Sequence, residues 1–195
     1  MSESFPYNKL NRKLAEEKLA KENFDRTTIS FYRYIKVPFP EELRTTLFNS
    51  WEKIGVLGRV YLANEGINAQ ISVPEHNVNL FKKALYSIKY FKGVPFKFAV
   101  ENKNFSFYKL TIKIKKQIVA DGLNHSDYDV ANVGHHLSPE EWNESINNGA
   151  IVVDMRNHYE SEIGHFENAI LPEAETFREE LPMVKNLLKD KKNKK

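Results

Sequence analysis

The stretch Arg59-Val60-Tyr61-Leu62-Ala63-Asn64-Glu65-Gly66-Ile67-Asn68-Ala69-Gln70-Ile71-Ser72-Val73 decides the fold of the first part of this chain. Both of its arms are rich in β-branched and aromatic residues, so each reads as a strand. Asn64-Glu65-Gly66 between them reads as a hairpin turn, with Gly66 suited to a left-handed position. Upstream, Leu43, Leu47, Trp51 and Ile54 recur at helical spacing and Gly55 is a natural C-terminal cap. Before them, Thr28-Ile29-Ser30-Phe31-Tyr32-Arg33-Tyr34-Ile35 reads as a strand that Pro38 and Pro40 stop. Downstream, Val78, Phe81, Leu85 and Ile88 mark a second helix, and Phe96-Lys97-Phe98-Ala99-Val100 another strand. The resulting order, β-α-β-β-α-β, is the split or ferredoxin-like arrangement. A further strand is expected over Tyr108 to Lys116, where Leu110, Ile112 and Ile114 alternate with lysine and threonine. Asn8 to Asn23, with Leu10, Leu14 and Leu19 on a thin apolar stripe, reads as a leading helix resting on the surface of whatever follows, against a partner-binding role.

A second α/β unit begins near Val133. Residues 121 to 132 are polar and aperiodic, which sets the expected division: leading helix 1–26, ferredoxin-like domain 27–118, linker 119–132, second unit 133–195. Ser138-Pro139-Glu140-Glu141 is a capping box with proline at the first helical position; Trp142 and Ile146 give the buried face, and Gly149 ends the helix. Ile151-Val152-Val153 reads as a parallel-type strand buried on both faces. It delivers Asp154 and Arg156 to the edge where such sheets bind ligands, followed by a short polar turn and a Gly164-His165 loop. Thr176-Phe177-Arg178-Glu179 is a second capping box opening a later helix.

Composition bounds the function. The 195 residues are 41% hydrophobic and 28% charged, with thirteen Phe and nine Tyr, enough to build a core. A net charge of +3 permits an RNA partner without requiring one. There is no cysteine, which excludes a disulfide scaffold, a thiolate metal site and cysteine catalysis by these residues. The amino terminus lacks the pattern of a secretory signal and no apolar run approaches a membrane span, so a cytoplasmic protein is expected, with neither a membrane nor DNA as partner.

Four groups of residues carry chemistry. Asp154 and Arg156 are pocket candidates: Arg156 as an anion holder, Asp154 as the residue that orients a loop, against the plainer reading of an internal ion pair. His158, Glu160, Glu162 and His165 have no metal-site spacing, and the adjacent His135 and His136 diverge, so no metal is expected. The hairpin concentrates Arg59, Tyr61, Asn64, Glu65, Asn68 and Gln70; Arg59, Asn64 and Asn68 are candidates for phosphate or ribose contacts, against a purely structural turn. Lys109, Lys113, Lys115 and Lys116, preceded by Phe105, Phe107 and Tyr108, form a basic, aromatic-flanked strand suited to single-stranded nucleic acid, against an ordinary solvated face. Lys113 and Lys115 are the tRNA-binding candidates there.

Two resemblances sharpen this. Leu137-Ser138-Pro139-Glu140-Glu141-Trp142, Val152-Val153-Asp154-Met155-Arg156, Tyr159-Glu160 and Gly164-His165-Phe166-Glu167-Asn168-Ala169-Ile170 resemble, in that order, blocks of a rhodanese domain. Gly55 to Gln70, with Val119-Ala120-Asp121-Gly122 and Asn132-Val133-Gly134-His135-His136-Leu137, resemble the bacterial rhodanese-domain tRNA uridine hydroxylases. Together these resemblances cover the chain from about Phe31 to Leu188. They imply an incomplete rhodanese-like second domain and oxygen-dependent hydroxylation of the wobble uridine to 5-hydroxyuridine. The anticodon loop of tRNA is the implied partner, molecular oxygen the co-substrate, and no other cofactor is evident.

That family carries its cysteine after a further parallel strand, which this sequence does not reach before Lys195. No catalytic residue is therefore transferred to this chain. It is expected to be a truncated, inactive form whose second unit is looser than residues 27 to 116. A rhodanese-type sulfurtransferase and a non-catalytic tRNA-binding module are the alternatives. The first domain is also similar in topology to acylphosphatases, but Lys36-Val37-Pro38-Phe39-Pro40-Glu41 has neither Arg nor Gly to cradle phosphate, so that activity is not expected.

Overall fold

Nine residues of alternating character, Arg26 to Tyr34, form the first strand, β1, and its neighbours obey the same logic. The computed structural model describes residues 6–9, 11–99, 107–119, 122–123, 128–129 and 132–191. These fall into two compact units, Met1–Val119 and Ala120–Lys195. In the first, the order is α1 (Arg12–Ala20), β1, α2 (Pro40–Lys53), β2 (Leu57–Ala63), β3 (Gly66–Pro74), α3 (Val78–Tyr86), β4 (Lys97–Phe98) and β5 (Leu110–Ile114). The strands make one sheet in the order β4-β1-β3-β2-β5. The first four strands give the antiparallel ferredoxin-like sheet, as expected from the sequence. β5 adds to the β2 edge in parallel, from Gly58↔Leu110 to Leu62↔Ile114.

Alternation decides which face is dry. Ile29, Phe31, Val60, Leu62, Ile67, Ala69 and Ile71 are fully or nearly fully buried and pack with Leu47, Phe48 and Trp51 of α2 and Phe81 and Leu85 of α3. Trp51 is the centre, with ring centroids 5.2 Å from Phe81 and 6.4 Å from Phe31, both edge-on. Its indole Nε1 is buried without an acceptor.

The hairpin differs from expectation in its turn. Ala63 pairs with Gly66, so the loop is the two residues Asn64-Glu65 and Gly66 already belongs to β3. Neither loop residue has positive φ; the distortion falls on Gly66, at φ +145°, outside the left-handed helical region. β4 is two residues long rather than five, pairing only with Ile29 and Ser30, and β5 is five rather than nine. In α1, Asn11 Oδ1 accepts from Leu14 N at 2.9 Å, and the buried stripe is Ala15 and Leu19. Leu14, assigned to that stripe, is instead 49% exposed, and the inward face is taken by Ala15 and Leu19, four residues apart. Leu10, Val100, Phe105, much of the expected linker and Lys192 to Lys195 lie outside the described residues.

The second unit holds α4 (Pro139–Asn147), α5 (His158–Ile163) and α6 (Phe177–Leu187). The α4 capping box is complete: Glu141 N donates to Ser138 Oγ at 3.2 Å and Ser138 N to Glu141 Oε2 at 2.7 Å. At α6, Thr176 N donates to Glu179 Oε2 at 3.2 Å. The expected strand Ile151-Val152-Val153 is corrected: these residues are half-buried, and only Val153 forms a bridge, parallel to Ile170. A parallel strand inside a sheet pairs along both of its edges, and among the described residues Ile170 alone supplies a rung. The expected polar turn after Arg156 is a helix, α5.

Candidate functional site

In the second unit the single bridge fixes the pocket. Ile170 N donates to Val152 O and Asp154 N to Ile170 O, both at 2.9 Å, which sets the direction of the Asp154 side chain. Its carboxylate, 8% exposed, accepts from Arg156 N at 3.1 Å, Nε at 2.9 Å and Nη2 at 2.6 Å. The Arg156 hydrogen bonds hold the Asp154 pKa below the ordinary aspartate range, against the opposing pull of desolvation. Arg156 Nη2 also donates to Gly164 O at 2.6 Å, so the arginine, not the aspartate, ties down the Gly164-His165 loop. The arginine side chain stays 47% exposed.

His165 lies 2.8 Å through Nδ1 from Ser161 O; a carbonyl only accepts, so Nδ1 is the donor. Together with Trp142, Val153 and Phe166, these groups line an open hollow of 700 Å³. Phe166 rests on Trp142 at 5.1 Å between centroids. An aromatic wall beside a guanidinium edge can take a flat, polar or anionic group.

Sequence reasoning missed Glu180. It lies on the inward side of α6 with Leu181, Val184 and Leu188, and is 2% exposed. Among the described residues its carboxylate has no hydrogen-bonding or ion-pair partner. Burial pushes its pKa up, and the nearby Asp154 charge adds to that. The available signal was a carboxylate in register with the apolar stripe. A raised folded-state pKa makes Glu180's contribution to stability full below the unfolded carboxyl pKa of about 4.3, and lost as pH rises through the folded value. Glu180→Gln is therefore expected to raise the thermal midpoint at neutral pH by a few degrees and to flatten its pH dependence on the alkaline side of pH 4 or so. Superimposable melting curves for both proteins from pH 4 to 8 would remove that account.

The histidines and glutamates do not converge. His158 pairs with Glu162 at 3.3 Å, His135 with Glu141 at 3.7 Å, and Glu160 accepts from Asn157 Nδ2 at 2.9 Å. Among the described residues no three His, Asp or Glu side chains gather as a metal site would require.

In the first unit the parallel pairing of β5 brings Arg59 and Thr111, and Tyr61 and Lys113, side by side. Arg59, Lys109 and Lys113 line a groove of 530 Å³ with Arg12, Phe107 and Tyr108. Arg12 lies 5.3 Å over the Tyr108 ring and pairs with Glu16, while Lys115 Nζ is 5.5 Å from the Tyr61 ring centre. Arg59, Lys113 and Lys115 are thus brought together. Asn64 and Asn68 are turned to other work: Asn64 Nδ2 donates to Val37 O at 3.0 Å, and Asn68 Nδ2 to Ile118 O at 3.3 Å. Glu65 Oε1 accepts from Ile118 N at 2.7 Å, so the hairpin grips both sides of the Ile118 residue.

Comparison with known proteins gives a consistent picture. Residues 26–118 match the UPF0176 acylphosphatase-like domain family. The chain is 55% identical over 190 residues to a tRNA uridine(34) hydroxylase of Leptospira interrogans, covering 97% of this chain and 52% of that protein. It is 42% identical to the tRNA uridine(34) hydroxylases of Photorhabdus laumondii and Escherichia fergusonii, covering 96% and 97% of this chain and 54% and 55% of theirs. The chain spans about half the length of the curated relatives it matches. Among the described residues no helix is long and apolar enough to cross a membrane.

Proposed function

We propose, from the premise that this chain belongs to the tRNA uridine(34) hydroxylase family, that it is part of a cytoplasmic enzyme hydroxylating the wobble uridine of tRNA to 5-hydroxyuridine with molecular oxygen. The observation that carries the reading is the 55% identity sustained over 97% of the chain. The geometry is compatible with it. Arg59, Lys113 and Lys115 form a cationic surface for the phosphates of the anticodon loop, where bases are open to recognition. Asn64 and Asn68, with their amide hydrogens engaged by the backbone, serve the fold of that surface rather than the RNA. The hollow beside Asp154 and Arg156 is the place for the extruded base, with Arg156 Nη1 still without a protein partner among the described residues. These 195 residues hold no cysteine, and none of them is assigned a bond-making step.

Deleting the gene is expected to remove 5-hydroxyuridine and its derivatives from total tRNA, read by nucleoside mass spectrometry, with restoration on complementation. Unchanged wobble nucleosides, together with efficient sulfur transfer from thiosulfate to cyanide by the gene product, would move the assignment to a sulfurtransferase.

A further inference from the structure

We propose that the sheet face opposite α2 and α3 is a seat for single-stranded RNA, with Tyr32 and Tyr61 as base-stacking surfaces and Lys97, Arg59 and Lys113 as backbone contacts. The seat deepens the tRNA reading and rests on it for the identity of the RNA. Strand alternation turns Ser30, Tyr32 and Tyr34 away from the core that takes Ile29 and Phe31. The pairing register then aligns side chains across the strands. Lys97, Ser30, Gln70, Arg59 and Thr111 form one row over all five. Tyr32, Asn68, Tyr61 and Lys113 form a second row beside it. At the usual spacing between strands the first row is about 19 Å long, room for several nucleotides.

Three features choose the occupant. Charge comes first: the five strands contain no aspartate or glutamate, so the cations of this face meet no acid from the sheet itself. Next is aromatic exposure: Tyr32 is 55% exposed, and Tyr61 is half-buried with the Lys115 ammonium 5.5 Å from its ring centre. A ring open on a cationic surface serves bases that are unpaired, since a duplex hides its base faces. Last is a boundary: Glu65 and Asn68 hold Ile118 at Asn68, between Tyr32 and Tyr61, so the RNA follows the first row and meets the second only at Tyr32, Tyr61 and Lys113. Gln70, exposed between Ser30 and Arg59, is placed to read a base edge.

The test is fluorescence anisotropy with the whole chain at low salt, using a labelled anticodon stem-loop and the same RNA annealed to its full complement. The stem-loop is expected to bind more tightly than the duplex. Tyr32→Ala is expected to weaken it about tenfold and Tyr32→Phe to leave it unchanged, as loss of one stacked base would. Arg59→Glu is expected to weaken binding and reduce the slope of log K against log salt by about 0.7, one phosphate contact. Circular dichroism checks that each variant is folded. Equal affinity for loop and duplex, or wild-type affinity in both Tyr32→Ala and Tyr61→Ala, overturns the seat and leaves the tRNA assignment standing. A folded wild-type chain that binds no RNA also overturns the seat; the modification itself is judged separately by the nucleoside analysis of the deletion strain.

Discussion

Gly66→Ala is expected to cost the first unit about 3–5 kcal/mol, a large share of the roughly 5–15 kcal/mol that holds a domain folded. Gly66 has φ +145°, which side-chain-bearing residues avoid, and a Cβ there would drive into the carbonyl oxygen of Arg33. That oxygen is backbone and cannot swing aside. β1 cannot retreat either: Tyr34 is paired with Gly66, Ile35 N donates to Glu65 O at 2.9 Å, and Val37 N donates to Asn64 O at 2.8 Å. The measurement is urea denaturation followed by far-ultraviolet circular dichroism. Gly93→Ala is the control, at φ +72° but with nothing within 4 Å of the added carbon, and is expected to cost about 1 kcal/mol. Equal midpoints for the two variants would show that the hairpin relaxes around the methyl group.

Trp51→Ala is expected to cost a similar 3–5 kcal/mol, whereas Trp51→Phe is expected to stay within about 1 kcal/mol of wild type. The alanine empties the space among Phe31, Phe81 and the sheet, where the indole is fully buried. Phenylalanine keeps an aromatic edge in that space and deletes a buried N–H that has no acceptor, so the lost volume is offset by the removal of an unsatisfied donor. The same denaturation assay reads both. If Trp51→Phe proves as damaging as Trp51→Ala, volume alone governs the site and the orphaned N–H has no energetic weight.

The first unit's architecture was legible because its signals are local and mutually consistent. Alternation along Arg59 to Val73, the Leu43-Leu47-Trp51 spacing and the Gly55 cap each specify one element, and βαββαβ is what those elements build together. What escaped was what depends on partners distant in sequence. That β5 lies parallel to β2 cannot be read from Leu110 to Ile114, because either edge of the sheet would suit its pattern. Asn64 and Asn68 have the right chemistry for RNA, yet Val37 O and Ile118 O engage their amide hydrogens, and only the folded chain reveals it. In the second unit the capping box at Ser138 was readable from four residues. The Ile151-Val152-Val153 strand was inferred from composition, and composition supplies no neighbour to pair with. Glu180 went unnoticed because glutamate on a helix is ordinarily solvated.

The placement of β5 also bears on the order in which the sheet assembles. β2 and β3 meet across a two-residue loop, whereas β5 must find β2 some fifty residues earlier in the chain, closing Gly58 against Leu110. The hairpin should therefore nucleate and the parallel rung zip on last, then detach first when the native state breathes. Amide hydrogen exchange should report this as faster deuterium uptake at Thr111 and Lys113, whose N–H groups face β2, than at Ile67, Ala69 and Ile71 in the centre of the sheet.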